Sequence, residues 1–299
     1  MRKIAIISDV HALLEPLEAV LADMKKRGID EIYSLGDNIG VGPNPSEVLE
    51  LLEQYGVKSI RGNSEEYCLL GTEAFDYVHY NESKRRSQEW TLAQLSEEQV
   101  KRLKLFPVFY ELLLGGKRLA LCHFANDIRF DYRKNSTWSY QSKLMRKPAE
   151  ASRQFRYTNS QEQKDEIIKK QESIEAELAR KGGNPLLSAE LNALLSACAE
   201  PLFDGKTIDA FDDIIQGHVH WKITDTESNP TIHSIRAVGM AYGEGEPIDM
   251  ASYVILTEKE NGYDMEEVLV PFDRAKMLRA IAASSMPGKD QIEKFVKAR

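Results

Sequence analysis

Two hydrophobic rhythms alternate along the N-terminal part of the chain. Ile4 to Ile7 is an unbroken apolar run, β-branched apart from Ala5, and reads as a buried strand. Leu14, Leu17, Leu21 and Met24, with Val20 beside them, then recur at helical spacing, and Gly28 is placed to end that helix. Glu31 to Leu35 predicts a second strand. Asn44-Pro45 predicts a helix start, with Asn as cap and Pro as first residue, and Val48, Leu49, Leu52 and Tyr55 form its apolar stripe. Val57 to Ile60 predicts a third strand. This strand-helix alternation implies a mostly parallel sheet with right-handed crossovers.

Further on, residues 66–106 read as helical and polar, anchored by Trp90, Leu92, Leu95, Leu103 and Leu105. Val108 to Leu114 and Arg118 to Cys122 predict a hairpin turning at Gly115-Gly116. Strands are also predicted over Asp212–Gln216, Ile232–Val238, Ser252–Thr257 and near Glu267–Val270, with helix from about Arg274. Between the hairpin and Asp212 lies a long insertion. Its residues 161–181 alternate in charge sign like a solvated helix, and Gly182-Gly183-Asn184-Pro185 turns it towards a second helix at Ser188–Ala199.

The chemistry sits where the predicted strands stop. Asp9 and His11 follow the first, Asp37 the second, Asn63 the third, His123 the hairpin, and His218 and His220 the strand after the insertion. In open α/β sheets the carboxyl ends of strands share one rim, so side chains distant in sequence converge there. Four of the six histidines in the chain fall at these points. Carboxylates, an amide oxygen and imidazoles suit Mn, Fe, Co or Zn better than Ca or Mg, and the lack of thiolates argues against a structural zinc site. The set is too large for one catalytic ion with an open position and suits two ions sharing a carboxylate. Of the other histidines, His79 reads as exposed and His233 as a core or edge residue.

Composition narrows the class. The formal net charge is −8, which argues against stable nucleic-acid binding. The three cysteines are odd in number and widely spaced, which fits a reducing compartment and not a disulfide framework. No signal peptide or long apolar run is evident, so a cytoplasmic location with no membrane partner is expected. There is no Gly-x-Ser-x-Gly or nucleophilic Cys motif.

Taken together, Asp9-x-His11, Gly36-Asp37-x-x-Gly40, Gly62-Asn63, His123 and Gly217-His218-x-His220 resemble the calcineurin-like metallophosphoesterases, in that family's order. The block Gly36 to Pro45 is similar to its bacterial phosphodiesterase branch. The resemblance implies a four-layer α/β/β/α sandwich of two mixed β-sheets. The core would span 1–126 and 211–272, with a mainly helical cap inserted at 127–210 and a helical C-terminal extension at 273–299. It further implies that Asp9, His11, Asp37 and His220 hold one metal, and that Asp37 bridges to a second held by Asn63, His123 and His218. Mn and Fe are the ions expected. Two such ions polarise phosphoryl oxygens and lower the pKa of a bridging water, whose hydroxide attacks phosphorus. Asp37, Asn63, Ser64 and His218 would then take part in catalysis.

One position departs from the family pattern. Its third block usually continues with a His that assists the leaving group; here Ser64 stands in that place. A serine is a poor proton donor at neutral pH. That favours substrates with good leaving groups, such as nucleotide anhydrides or activated diesters. The insertion points the same way: residues 129–158 carry eight Arg or Lys against two acids, interleaved with six aromatics. Arg129, Tyr132, Arg133 and Trp138 are the residues expected to meet a substrate with several phosphates and stackable bases. A dinucleoside polyphosphate, as taken by diadenosine tetraphosphate hydrolases, fits both features. The bland reading is a charged cap packed on the acidic helical residues that follow. A phosphomonoesterase, a protein phosphatase, a non-catalytic scaffold and a homo-oligomer all stay compatible with the sequence.

Overall fold

The computed structural model describes residues 1–70, 82–124, 210–226, 229–240 and 249–297. The expected cap, with Arg129, Tyr132, Arg133 and Trp138, lies outside the described residues, as does His79.

Among the described residues, ten strands form two five-stranded mixed sheets. In the first, β1 (Lys3–Ile7) is central and runs parallel to β2 (Ile32–Ser34), which runs parallel to the short β3 (Lys58–Ser59). On the other side of β1 lies antiparallel β9 (Met250–Lys259), then β10 (Gly262–Pro271) at the edge. The second sheet starts with the hairpin of β4 (Phe109–Leu114) and β5 (Lys117–Cys122). Parallel to β5 come β6 (Asp213–Gln216) and β8 (Thr231–Ser234), and antiparallel β7 (Ile223–Asp225) closes the edge.

Period-two alternation on β1 decides what packs where. Ile4 and Ile6 face the second sheet and join Tyr33, Leu35, Leu119, Leu121 and Ile215 in the core between the sheets. Ala5 and Ile7 face the other way and meet α1 (Leu14–Lys26) through Leu17, Leu21 and Met24, and α2 (Pro45–Gln54) through Val48 and Leu52. Truncating Ile6, which is fully buried, to Ala would cost about 2–5 kcal/mol. The expected helical stretch is divided into α3 (Asn63–Leu70), α4 (Glu82–Ala93) and α5 (Glu97–Leu105). The chain closes with α6 (Arg274–Ala283) and α7 (Lys289–Lys297). Met277, Ile281 and Val296 of these two helices pack on Leu13, just beyond the first candidate ligands.

Several local expectations needed correction. Asn44 occupies the N-cap of α2 but its side chain makes no capping bond. Its backbone N–H is instead bonded to Ala12 O at 3.1 Å, which ties the helix start to the loop after β1. Leu105 is 60% exposed and anchors nothing. The buried face of α5 carries Gln99 and Leu103, and Leu105 lies roughly 200° round the helix from Leu103. The strand expected over Ile232–Val238 stops at Ser234, because residues 235–238 cross between the sheets: Ile235 N–H bonds Gln216 O and Val238 N–H bonds Ser8 O. β10 is longer than expected. Its first half alternates Tyr263 and Met265 with Asp264 and Glu266, a pattern suited to an edge strand with one wet face.

Candidate metal centre

The loops after β1, β2 and β6 carry five of the candidate ligands in backbone conformations that side chains rarely adopt. Asp9, His11, Asp37, His218 and His220 all have φ between 53° and 68°. Each such residue costs on the order of 1 kcal/mol and persists only where its surroundings fix it. Here the loops bind one another: Asp9 N–H to Gly36 O, His11 N–H to Asp37 O, and Gly217 N–H to His123 O. Two glycines permit the close approach. A Cβ on Gly62 would collide with the Asp37 carboxylate, and one on Gly217 would collide with Ser8 Oγ and Asp9 Oδ2.

All seven residues that the sequence singled out as ligands come together, in two groups that share Asp37. In the first, His220 Nε2 is 3.3 Å from Asp9 Oδ1, and His11 Nε2 is 3.9 Å from Asp9 Oδ1 and 3.8 Å from Asp37 Oδ2. In the second, His123 Nε2 is 3.5 Å from Asp37 Oδ1 and 3.0 Å from Asn63 Oδ1, and His218 Nδ1 is 2.8 Å from that same amide oxygen. Ligand atoms of Asp9, His11 and His220 lie within 4.8 Å of one another, as do those of Asp9, Asp37 and His123.

Hydrogen bonding at the far side of two rings tests whether a cation fits. His123 Nδ1 is 2.8 Å from Leu35 O, and His220 Nδ1 is 3.0 Å from Met240 O. A carbonyl only accepts, so both Nδ1 atoms carry protons and the neutral rings present lone pairs at Nε2. Those lone pairs face the oxygens of Asn63, Asp37 and Asp9. Acceptors facing acceptors repel unless positive charge lies between them, and Asp9 Oδ1 makes no hydrogen bond of its own. Backbone carbonyls orienting imidazoles in this way are the usual outer support of a metal site. The residues present therefore fit divalent metal ions.

These buried groups also shift one another's protonation. Burial opposes charge on Asp9, yet His220, His123 and His11 overcome it and hold the carboxyl well below the usual range. Burial likewise opposes charge on Asp37, and His123 and His11 again bring it down. Burial, reinforced by the neighbouring His220, depresses His11 to about 4. On His220, burial is outweighed by Asp9 and Asp37, so that ring is raised.

The sequence reading missed the function of Glu65. Its carboxylate is fully buried and accepts N–H bonds from Gly62 (2.7 Å), Asp37 (2.9 Å) and Asn38 (2.7 Å), joining the turns that carry Asp37 and Asn63. Burial first, then the nearby Asp37 charge, pushes Glu65 up to about 7 against those donors. The only hint in the sequence is an acid in the first turn of a helix. Phe124 was also missed; its ring lies 4.5 Å from that of His218 and walls the second group. Ser64 is buried and reaches the centre through its backbone, its N–H donating to Asp37 Oδ1 at 2.7 Å. His233 sits on β8 away from the cluster, between Thr224 Oγ1 at 3.2 Å and Asp213 Oδ1 at 3.7 Å.

Comparison with known proteins follows this geometry. Residues 2–157 match the model of the calcineurin-like phosphoesterase superfamily domain. An uncharacterised protein of Methanocaldococcus jannaschii is 40% identical over 120 residues, covering 40% of this chain and 48% of that protein. Serine/threonine-protein phosphatase 2 of Escherichia coli is 31% identical over 112 residues, covering 37% and 50%. The chain thus spans about half the length of the curated relatives it matches. The crystal structure of a metallophosphoesterase from Sphaerobacter thermophilus superposes with a TM-score of 0.58 at 21% identity, covering 99% of this chain and 98% of that one. A hypothetical protein of Pyrococcus horikoshii gives 0.61 at 14%, with the same coverage. The two structural likenesses concern the fold, whereas the family model spans more than half of the chain. This protein belongs to the calcineurin-like phosphoesterase superfamily.

Proposed function

We propose that the chain is a dinuclear-metal-dependent phosphoesterase, acting as a phosphodiesterase or anhydride hydrolase on nucleotide-type substrates such as dinucleoside polyphosphates. The observation that carries this reading is the shared carboxylate: Asp37 turns Oδ2 towards His11 and Oδ1 towards His123. Asp9, His11, Asp37 and His220 would hold one ion, and Asp37, Asn63, His123 and His218 the other, with Mn or Fe preferred by this mixed donor set. Bound there, such ions supply Lewis acidity towards phosphoryl oxygens and acidify water.

The residues of the chain contribute position and charge. Asp9 and Asp37 stay ionised, the carbonyls of Leu35 and Met240 keep two imidazoles aimed inwards, and Phe124 shields His218. Ser64 is a weak proton donor, which supports substrates whose leaving group departs without assistance. Arg129, Tyr132, Arg133 and Trp138 are proposed to bind the phosphates and bases. Cys68 is a buried free thiol, which supports a reducing, cytoplasmic setting. Among the described residues no helix is long and apolar enough to cross a membrane.

Metal-stripped protein should be inactive and recover with Mn²⁺, and Asp37→Ala and His218→Ala should abolish hydrolysis of bis-p-nitrophenyl phosphate. Full activity in both variants would sink the assignment. Similarity to an Escherichia coli serine/threonine-protein phosphatase supports a second reading, a phosphomonoesterase. Rates on p-nitrophenyl phosphate, its diester and diadenosine tetraphosphate, measured side by side, decide between the two.

A further inference from the structure

A pocket lies away from the metal centre, on the helix-covered side of the first sheet. It encloses about 280 Å³ between α2, β3 and α5, walled by Leu49, Leu52, Val57, Leu103 and Phe106. Ile60 points into the core between the sheets, so Ser59 before it points the opposite way, into this pocket. Ser59 is 4% exposed and its hydroxyl has no hydrogen-bond partner among the described residues.

The other polar groups of the lining are already committed. Gln99 spends its amide on the Ser46 carbonyl and hydroxyl, and its oxygen on Ser96 N–H. Arg102 is paired with Glu53, and both are partly exposed at the mouth. A charged ligand would therefore find no free counter-charge inside. Water is also a poor occupant, because it needs two or more polar partners and the walls offer one hydroxyl. An apolar cavity of about 150 Å³ suffices for benzene.

From these features we infer that the pocket binds a small uncharged molecule with an apolar body, of one or two rings, and a single hydroxyl or carbonyl that pairs with Ser59. The site stands independently of the catalytic reading. A short stretch of backbone links it to the metal centre. Ser59 leads through Ile60 and Arg61 to Asn63, and Arg61 N–H is bonded to the carbonyl of Pro107, which follows the pocket residue Phe106.

The probes are benzyl alcohol and toluene, titrated into the metal-loaded chain with binding followed by amide NMR shifts. Saturable shifts confined to α2, β3 and α5 are expected for both. Ser59→Ala should weaken benzyl alcohol about fivefold, equivalent to one hydrogen bond of roughly 1 kcal/mol, and leave toluene within about twofold. Val57→Phe, at a half-buried wall position, should block both probes while the fold persists. Absence of saturable shifts in the unaltered protein overturns the proposal. So does equal weakening of both probes by Ser59→Ala, or undiminished binding in a folded Val57→Phe variant.

Discussion

Nε2 of His11 lies 3.0 Å from Nε2 of His220, although the two residues are 209 positions apart. His220 has its other nitrogen committed to Met240 O, so the neutral rings share at most one proton between them. A cation held jointly satisfies both lone pairs. The predictions that follow start from this arrangement and from the groups that hold it in place.

Metal content should divide by residue. Elemental analysis after Mn²⁺ loading should find about two ions per chain in the unaltered protein. His220→Ala and Asn63→Ala should each lose one ion of the pair, from opposite ends, whereas Asp37→Ala should lose more than either. Equal loss in all three would contradict a shared carboxylate.

Glu65→Ala should destabilise the fold although Glu65 is not itself a candidate ligand. Several buried N–H groups lose their acceptor, and each costs about 1–3 kcal/mol when left unsatisfied. A drop of at least about 3 kcal/mol is expected from urea unfolding of metal-free protein. Glu65→Gln keeps one carbonyl oxygen and should lose less.

Ser64→Ala retains the backbone N–H that meets Asp37. Metal content should therefore be unchanged, and hydrolysis of bis-p-nitrophenyl phosphate should stay within about threefold. A loss nearer 10²-fold, the scale of general-acid catalysis, would give the hydroxyl a proton-transfer role.

Acid should erase the contribution of one structural pair. Tyr253 OH donates to Asp23 Oδ2 at 2.7 Å, and Arg27 Nε donates to the same oxygen. Burial raises the Asp23 carboxyl, but these two bonds outweigh it and the group is lowered below 3.8. A depressed carboxylate adds stability above its unfolded pKa and loses it as pH falls through the folded value. Tyr253→Phe should cost about 1–2 kcal/mol at pH 7 and progressively less below about pH 4, by urea midpoints.

The proposed cap residues make a kinetic prediction. Arg133→Ala and Trp138→Ala should raise KM for diadenosine tetraphosphate about tenfold, the order of one lost charge-assisted or stacking contact. Rates on bis-p-nitrophenyl phosphate should hardly change. Equal effects on both substrates would argue for a cap that only packs.

What the sequence revealed and what it hid differ for a physical reason. Asp9, Asp37 and His123 were legible because each interrupts an apolar run at a strand end, where a buried polar group needs a purpose. Glu65 was not, because its partners are main-chain N–H groups, two of them some 27 or 28 positions away, and backbone donors leave no trace in residue identity. The carbonyls of Leu35 and Met240 were hidden in the same way. Asn44 followed a sound capping rule and lost to a tertiary bond with Ala12. The halved strand at Ser234 reflects a crossing between sheets that no local pattern encodes.

The strand order has a consequence for biosynthesis. β1 is made long before its antiparallel neighbour β9 emerges, and His220 must emerge before the first ligand group is complete. Until then the nascent N-terminal half exposes one flank of its central strand and holds Asp9 and Asp37 without their full complement of imidazoles. Contacts of such long range form late and leave aggregation-prone edges exposed meanwhile. Completion of the first sheet on the ribosome must therefore wait for β9, and capture of a metal ion by the first ligand group must wait for His220.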